Sequence, residues 1–352
     1  MKLKPLDYLL LFLPITFGLV LTGYGDSTIL FITSILSILP LAAKMGEATE
    51  ELAESLGGQI GGLINATFGN AAELIIIILA INKGLIELVK ASITGSIIGN
   101  LLFVFGLSAL VGGLKFKEQK FSHNLSGINS SMLLIAFMSL MIPSAFHILE
   151  KDSVAGLANE VPLSIFISIL LISVYILSLI FSLKTHNYLF REETHEKSSK
   201  HDIKNPVIIL LVSTVLLAFI SEIFVGQIEH VAKDFGLTEI FIGAVIVAVV
   251  GNAAEHIAAV FFAWKNDIEL AMNITVGSSL QIALFVAPVA VLFGHLIGKS
   301  MDLVFSPFEI LAVFASVLIV NEISNDGKCN WFEGAQLLVM YIIIAALFYF
   351  IR

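Results

Sequence analysis

The sequence predicts an all-α polytopic membrane protein of about eleven transmembrane helices. Three observations predict it. Apolar residues make up 57% of the chain and charged residues only 13%. Apolar runs of about eighteen residues or more recur from end to end, long enough as helices to cross a hydrocarbon core of about 30 Å. Polar or Gly/Pro punctuation separates these runs at helical, not strand-like, intervals.

The first run, 7–24, follows a positively charged start and so resembles a secretory signal. No A-x-A site follows and more spans come at once, so it reads as the first transmembrane helix. The remaining spans are expected at 27–45, 60–82, 85–111, 128–148, 161–183, 206–230, 238–264, 268–297, 305–323 and 333–351. The longest polar stretch, Lys184 to Asn205, has charges of both signs, three histidines and no apolar face. It reads as a solvated linker.

The two sides of that linker match in register. Gly69-Asn70-Ala71-Ala72-Glu73 recurs at Gly251-Asn252-Ala253-Ala254-Glu255, an offset of 182 (251 − 69). At the same offset Lys83 meets Lys265, Ile86-Glu87-Leu88 meets Ile268-Glu269-Leu270, Gly95-Ser96 meets Gly277-Ser278, and Leu102-Phe103-Val104 meets Leu284-Phe285-Val286. Chance apolar likeness would pair Leu with Ile; it would not pair Asn, Glu, Lys and Ser. The chain therefore divides into an N-terminal helix (1–26), a first five-helix repeat (27–183), a cytoplasmic linker (184–205) and a second five-helix repeat (206–352). An odd number of helices per repeat inverts the second copy, the architecture of many secondary transporters.

Charge sets the orientation and excludes partners. Lys and Arg are concentrated in the segments that are cytoplasmic if the N-terminus is inside, which predicts a cytoplasmic N-terminus. The formal net charge of −9 speaks against nucleic acid as a partner. The single cysteine, Cys329, excludes an internal disulfide and a thiolate metal cluster.

The duplicated carboxylates carry the chemistry. A carboxylate in hydrocarbon costs several kcal/mol (about 3 on insertion scales) unless protonated, paired or bound to a cation. From Glu73 to Gly95 is 22 residues (95 − 73), with the turn Asn82-Lys83-Gly84 midway. At about 1.5 Å per residue, Glu73 and Ser96 both fall near the midplane on adjacent helices. Asn70 and Glu73 share a helix face, as do Ser96 and Asn100, and Ser278 and Gln281. With Asn252 and Glu255 these side chains form an all-oxygen site. Such a site suits a hard cation, Ca²⁺ before Mg²⁺, and not Zn²⁺ or Cu⁺. Glycines 69, 95, 99, 251 and 277 are expected to allow close helix approach or local unwinding. Two carboxylates neutralise one divalent ion; without it, like charges in low dielectric do not both stay ionised. Competition of Ca²⁺ and H⁺ for one pair of carboxylates is antiport in chemical terms. A purely structural pair of acids needs no duplicated setting, which favours the functional reading.

Further acids and one histidine are weaker candidates for a proton or cation pathway. Glu47, Glu50, Glu51 and Glu54 form a helical stripe between the second and third spans, either a solvated face or a cation-concentrating vestibule. Aligning Gly57 with Gly236 sets Glu50 opposite Glu229. Glu222 lies within an apolar run, and His256 follows the second motif where the first has Leu74. Buried histidines are often only hydrogen-bonded, but this one breaks the symmetry beside a key acid. Glu309, Glu322 and Glu333 read as interfacial.

These residues resemble the Ca²⁺/cation:proton antiporter (CAX) family of the Ca²⁺:cation antiporter superfamily. The resemblance rests on GNAAE at 69–73, GNAAEH at 251–256, GSIIGNLLFVFG at 95–106, GSSLQIALFV at 277–286 and SEIFVGQIE at 221–229, and covers residues 27–351. It implies eleven helices, Glu73 and Glu255 as central Ca²⁺ and H⁺ carriers, and export of cytosolic Ca²⁺ against proton entry. No cofactor is implied beyond Ca²⁺ as transported substrate, and a homo-oligomer is compatible. The setting is a cell membrane in a prokaryote and an organellar one otherwise. Ile282 stands where a second amide would match Asn100, so the site is pseudo-symmetric. A Na⁺/Ca²⁺ exchanger is the nearest alternative, but such proteins usually carry a Ser/Thr-rich motif ending Pro-Glu. A channel would need a continuous pore. An intramembrane enzyme would need a catalytic pairing or a zinc motif, and the chain has no His-Glu-x-x-His.

Overall fold

The computed structural model, which describes residues 5–23, 27–150, 152–186 and 203–351, is a bundle of helices. In chain order they are α1 (Leu6–Thr22), α2 (Ser27–Leu56), α3 (Ile60–Lys83), α4 (Ile86–Phe116), α5 (Gly127–Glu150), α6 (Gly156–Thr185), α7 (Lys204–Phe235), α8 (Glu239–Gly251 with Ala253–Trp264), α9 (Ile268–Leu296), α10 (Pro307–Asp326) and α11 (Trp331–Phe350). Among the described residues nine are long and apolar enough to cross a membrane, ten when the two pieces of α8, bent by 63°, count as one crossing. The expected apolar runs are all helical, but α1 is shorter than the others, so a count of eleven crossings holds only approximately. Residues 187–202 of the expected linker, including His195 and His201, lie outside the described residues.

Local chemistry sets the ends. Glycines in the left-handed region close α2 (Gly57, φ 60°), α3 (Gly84, φ 82°) and α7 (Gly236, φ 64°), where a side chain would be strained. Ser306 and Asn330 open α10 and α11 with capping boxes completed by Glu309 and Glu333. One expectation is corrected here. The acidic stripe at 47–54 is not a separate element between spans, because α2 runs unbroken from Ser27 to Leu56. Strong helix formers after Gly46 carry it on to Gly57. The stripe therefore rides on an extension of the second span.

Helices α3, α4, α8 and α9 converge at the centre, and α4 and α9 are the most enclosed spans. Helices α2 and α7 pack together along much of their length beside them. At the centre, the backbones of α4 and α8 approach closely. A Cβ on Gly95 would sit 2.2 Å from the Ala244 carbonyl oxygen, and one on Gly243 would sit 2.6 Å from that of Leu88. Gly99 and Gly277, by contrast, have nothing within 4 Å of a notional Cβ, so neither marks a close helix approach. Gly99 instead opens a π-helical segment, Gly99–Val104, while Gly277 lies inside the regular helix Ile268–Gln281.

Loops tie the bundle ends together. The antiparallel strands β1 (Glu118–Lys120) and β2 (Lys328–Asn330) join the α4–α5 and α10–α11 connections. Cys329 lies buried between them, its thiol pushed up to about 12 by burial and by nearby Glu333 and Asp326, so it is unsuited to act as a thiolate. At the opposite end the α9–α10 loop buries Met301 and Leu303. There the Ser164 and Ser144 hydroxyls accept the Leu303 and Phe305 amides, and Lys90 pairs with Asp302 at 2.7 Å. Glu309 is corrected as well: it is buried, capping α10 and accepting a 3.0 Å bond from the Thr94 hydroxyl.

Gly95→Ala should destabilise the protein by about 1–3 kcal/mol, because the methyl has no room against Ala244. Gly99→Ala should be neutral or slightly stabilising. Thermal unfolding of the detergent-solubilised protein measures both, and a Gly95→Ala melting point equal to wild type would refute the close packing.

Candidate ion-binding site

Each GNAAE motif interrupts its helix. In α3 the regular helix stops at Phe68 and restarts at Ala71; in α8 it stops at Gly251 and restarts at Ala253. Asn70 (φ −101°, ψ 22°) and Asn252 (φ −107°, ψ 11°) adopt nearly the same conformation at the break. Glu73 and Glu255 then fall in the first turn of the restarted helices, where unpaired amides and the positive end of the helix dipole face anionic groups. The two motifs meet back to back: a Cβ on Gly251 would lie 3.5 Å from that of Glu73.

Helices α4 and α9 supply the rest. The Ser96 hydroxyl donates a short hydrogen bond to Glu73 Oε1. The Asn252 amide donates to Ser96 Oγ at 3.1 Å and to the Ala248 carbonyl at 3.0 Å. In the other half the Asn100 amide donates to Ser278 Oγ at 3.0 Å, and the Ser278 hydroxyl donates to Asn70 Oδ1 at 3.1 Å. The Asn70 amide makes a short bond to Gln281 Oε1, and His256 Nε2 lies 3.1 Å from Asn100 Oδ1. Every one of these contacts except Asn252 to Ala248 joins residues on different helices.

Two atoms stand apart from this network. Glu73 Oε2 and Glu255 Oε2 are both buried and neither has a hydrogen-bond partner. They come from equivalent positions of the two motifs. Glu73 is fully buried, whereas Glu255 is partly accessible. Among the described residues no group of three or more His, Cys, Asp and Glu side chains gathers. An ion held here would draw on amide and hydroxyl oxygens beside the two carboxylates.

All eight oxygen-site residues expected from the sequence are thus brought together, with His256 against Asn100. The weaker candidates are not. Glu222 is exposed on α7, where its backbone carbonyl accepts from Lys83 Nζ at 3.3 Å. Glu229 lines an open surface pocket of about 470 Å³ with Lys233 and Glu239, and Glu50 is exposed on the α2 extension. Sequence reasoning missed the paired π-helical segments, Gly99–Val104 in α4 and Ile282–Val286 in α9, which directly follow the polar turns. Such segments occur often at functional sites, but no residue pattern in one sequence marks them. It also missed that Gln281 bonds Asn70 in the opposite half.

An interrupted-helix bundle with a duplicated buried polar site defines a multi-pass membrane transporter by class. Comparison with known proteins specifies the family. Residues 26–184 and 205–350 match the family model described as "Sodium/calcium exchanger protein". The chain is 46% identical to the Ca(2+)/H(+) antiporter of Aphanothece halophytica, over 97% of this chain and 95% of that one. It is 45% identical to the Ca(2+)/H(+) antiporter ChaA of Bacillus subtilis (strain 168), over 93% of each. The solved structure of native YfkE superposes with a TM-score of 0.87 at 42% identity, covering 99% of this chain and 100% of that one. The chain belongs to the Ca²⁺/cation:proton antiporter family within the sodium/calcium exchanger superfamily.

The bond between Asn70 and Gln281 ties the two halves together. Gln281→Leu, which leaves the Asn70 amide without its acceptor, should destabilise the protein by about 1–3 kcal/mol. Asn70→Ala with Gln281→Ala should destabilise by less than the sum of the two single changes. Additive losses in thermal unfolding would show that the bond carries no coupling.

Proposed function

We propose that this chain is a secondary active antiporter that exchanges cytosolic Ca²⁺ for protons by alternating access, with Glu73 and Glu255 alternately holding Ca²⁺ or H⁺. One observation carries the reading: the two equivalent, buried carboxylate oxygens Glu73 Oε2 and Glu255 Oε2, without partners inside a shell of amide and hydroxyl oxygens. Partnerless buried carboxylate oxygens are expensive in a membrane interior, and a cation or a proton relieves both at once. Two carboxylates balance the charge of one Ca²⁺, and the neutral oxygens complete the hard-ligand set that Ca²⁺ prefers. When the ion leaves, protons take over the charge, which couples the two fluxes through one site.

Asn70, Asn252, Ser96, Ser278, Asn100 and Gln281 position the carboxylates or offer oxygens to the ion, and His256 orients Asn100. The names of close relatives, Ca(2+)/H(+) antiporters, favour protons over Na⁺ as the counter-ion. So does GNAAE in both copies, with Asn and Ala in place of hydroxyls and no Pro before Glu. The Lys and Arg bias supports a cytoplasmic N-terminus, and proton entry down its gradient would drive Ca²⁺ out of the cytosol.

In everted vesicles or proteoliposomes, an imposed proton gradient should drive Ca²⁺ uptake without Na⁺. Glu73→Gln and Glu255→Gln should each abolish exchange while the protein remains folded by gel filtration. Uptake that requires Na⁺ and ignores the proton gradient, or transport retained in either variant, would overturn the shared-site mechanism.

A further inference from the structure

Helices α4 and α8 touch tightly at Gly95 but part company on the other side of the site. Between them opens an apolar groove of about 540 Å³. Phe103, Leu107 and Val111 of α4 and Ile257, Val260 and Trp264 of α8 line it, with Val249, Ala253 and His256 toward its inner end. Almost all of its surface is apolar, and Ile257, Phe261 and Trp264 are about half exposed in a segment that otherwise belongs to the membrane.

The length and the ends of the groove indicate what fills it. From Ala253 to Trp264 a helix rises about 16 Å. That matches one leaflet of a hydrocarbon core about 30 Å thick. The groove therefore runs from a membrane surface to the depth of the ion site, the span of one acyl chain. At its surface end stand two lysines. Lys115 Nζ lies 4.4 Å from the Trp264 ring centroid and donates to the Trp264 carbonyl at 2.8 Å, and Lys265 Nζ lies 4.3 Å from that of Phe261. Both ammonium groups are exposed at the rim. Nearby acids are engaged elsewhere: Glu118 with Lys328 at 3.2 Å, Asp267 capping the Leu270 amide at 3.1 Å and Glu269 accepting the Ser122 amide at 3.0 Å. Two cations above a leaflet-long apolar slot complement an anionic headgroup above a hydrocarbon tail.

We propose that this groove is a binding site for an anionic phospholipid, its headgroup between Lys115 and Lys265 and one acyl chain lying along Phe103, Val260 and Trp264 toward His256. The site lies beside the ion site and meets it at Ala253, His256 and Phe103, the last two with rings 6.4 Å apart. A tail in this position fills the space that α4 and α8 would need to close on that side. The proposal requires the membrane setting but not the identity of the transported ion.

The chain has two tryptophans, and Trp264 lines the groove, so it reports occupancy directly. The full-length Trp331→Phe protein is reconstituted with brominated phosphatidylglycerol or, at equal mole fraction, brominated phosphatidylcholine. The anionic lipid should quench Trp264 about twofold more or better. That ratio should fall to one in Lys115→Gln with Lys265→Gln, and persist in Lys115→Arg with Lys265→Arg. Taking the ratio within each variant removes any direct effect of Lys115 on the indole. Equal quenching by the two lipids in the Trp331→Phe protein would show bulk lipid without headgroup selection and overturn the proposal. So would an excess that survives the double Gln substitution. Both outcomes are independent of Ca²⁺ flux.

Discussion

The structure depends on one constraint: a carboxylate placed among apolar helices must be satisfied from within the protein. A continuous helix offers it nothing, because its own amides are already bonded. The chain meets the constraint by breaking α3 and α8 at the Asn of each motif, which leaves Glu73 and Glu255 in the first turns of new helices. The neighbouring helix α4 then supplies the Ser96 hydroxyl to Glu73, and α9 supplies the Ser278 hydroxyl to Asn70. That supply needs α4 and α8 to approach almost to backbone contact, which is why Gly95 and Gly243 carry no side chain. The four oxygens of the carboxyl pair are thus met only in part, and the remainder falls on two equivalent atoms.

Duplication explains the likeness of the halves but not their differences. Gln281 reaches across to Asn70, while the equivalent position in the first half is Gly99. Asn100 in turn holds Ser278 and His256, while its equivalent is Ile282. Each half therefore provides one long polar side chain that braces the other half, at neighbouring positions of the turn. The aromatic supports stayed paired: Tyr341 packs tilted against Phe103 with centroids 5.0 Å apart, and Tyr175 stacks on Phe285 at 5.3 Å. Packing kept the symmetry where only shape mattered, and the hydrogen-bonding shell lost it where the two carboxylates differ in burial.

Much of this was legible in the sequence because it depends on local identity and period. Apolar runs gave the spans, and a Glu three residues after an Asn gave a shared face. The 22 residues from Glu73 to Gly95 gave a common depth, and Ser96 does bond Glu73. What stayed hidden depends on tertiary contact. The extension of α2 through its acidic stripe follows from helix formers that a hydropathy window scores as polar. Gly99 and Gly277 match Gly95 in kind, yet only the packing of α8 distinguishes them. Glu309 looks interfacial in sequence and is buried, because Thr94 and the capping box of Ser306 satisfy it. The pairing of residues 118–120 with 328–330 joins loops about two hundred residues apart, which no local pattern announces.

The contrast between Gly95 and Gly277 goes further than packing. They are equivalent by duplication, yet Gly95 presses against Ala244 while Gly277 faces open space. One chain thus holds two arrangements of the same motif at once. In the first, α4 and α8 are sealed on the side of Leu88 and Gly243. In the second, α9 is unsealed on the opposite side, where Ile60 and Leu63 of α3 are exposed. For inverted repeats, an exchange of the two arrangements would seal that end and open the other, with the carboxylates fixed between them. The aromatic pairs Phe103–Tyr341 and Phe285–Tyr175 can survive such an exchange, since each half already contains its own copy. The contact of Gly95 with Ala244 cannot. The tightest backbone contact of the site is therefore also the one that an alternating cycle has to break.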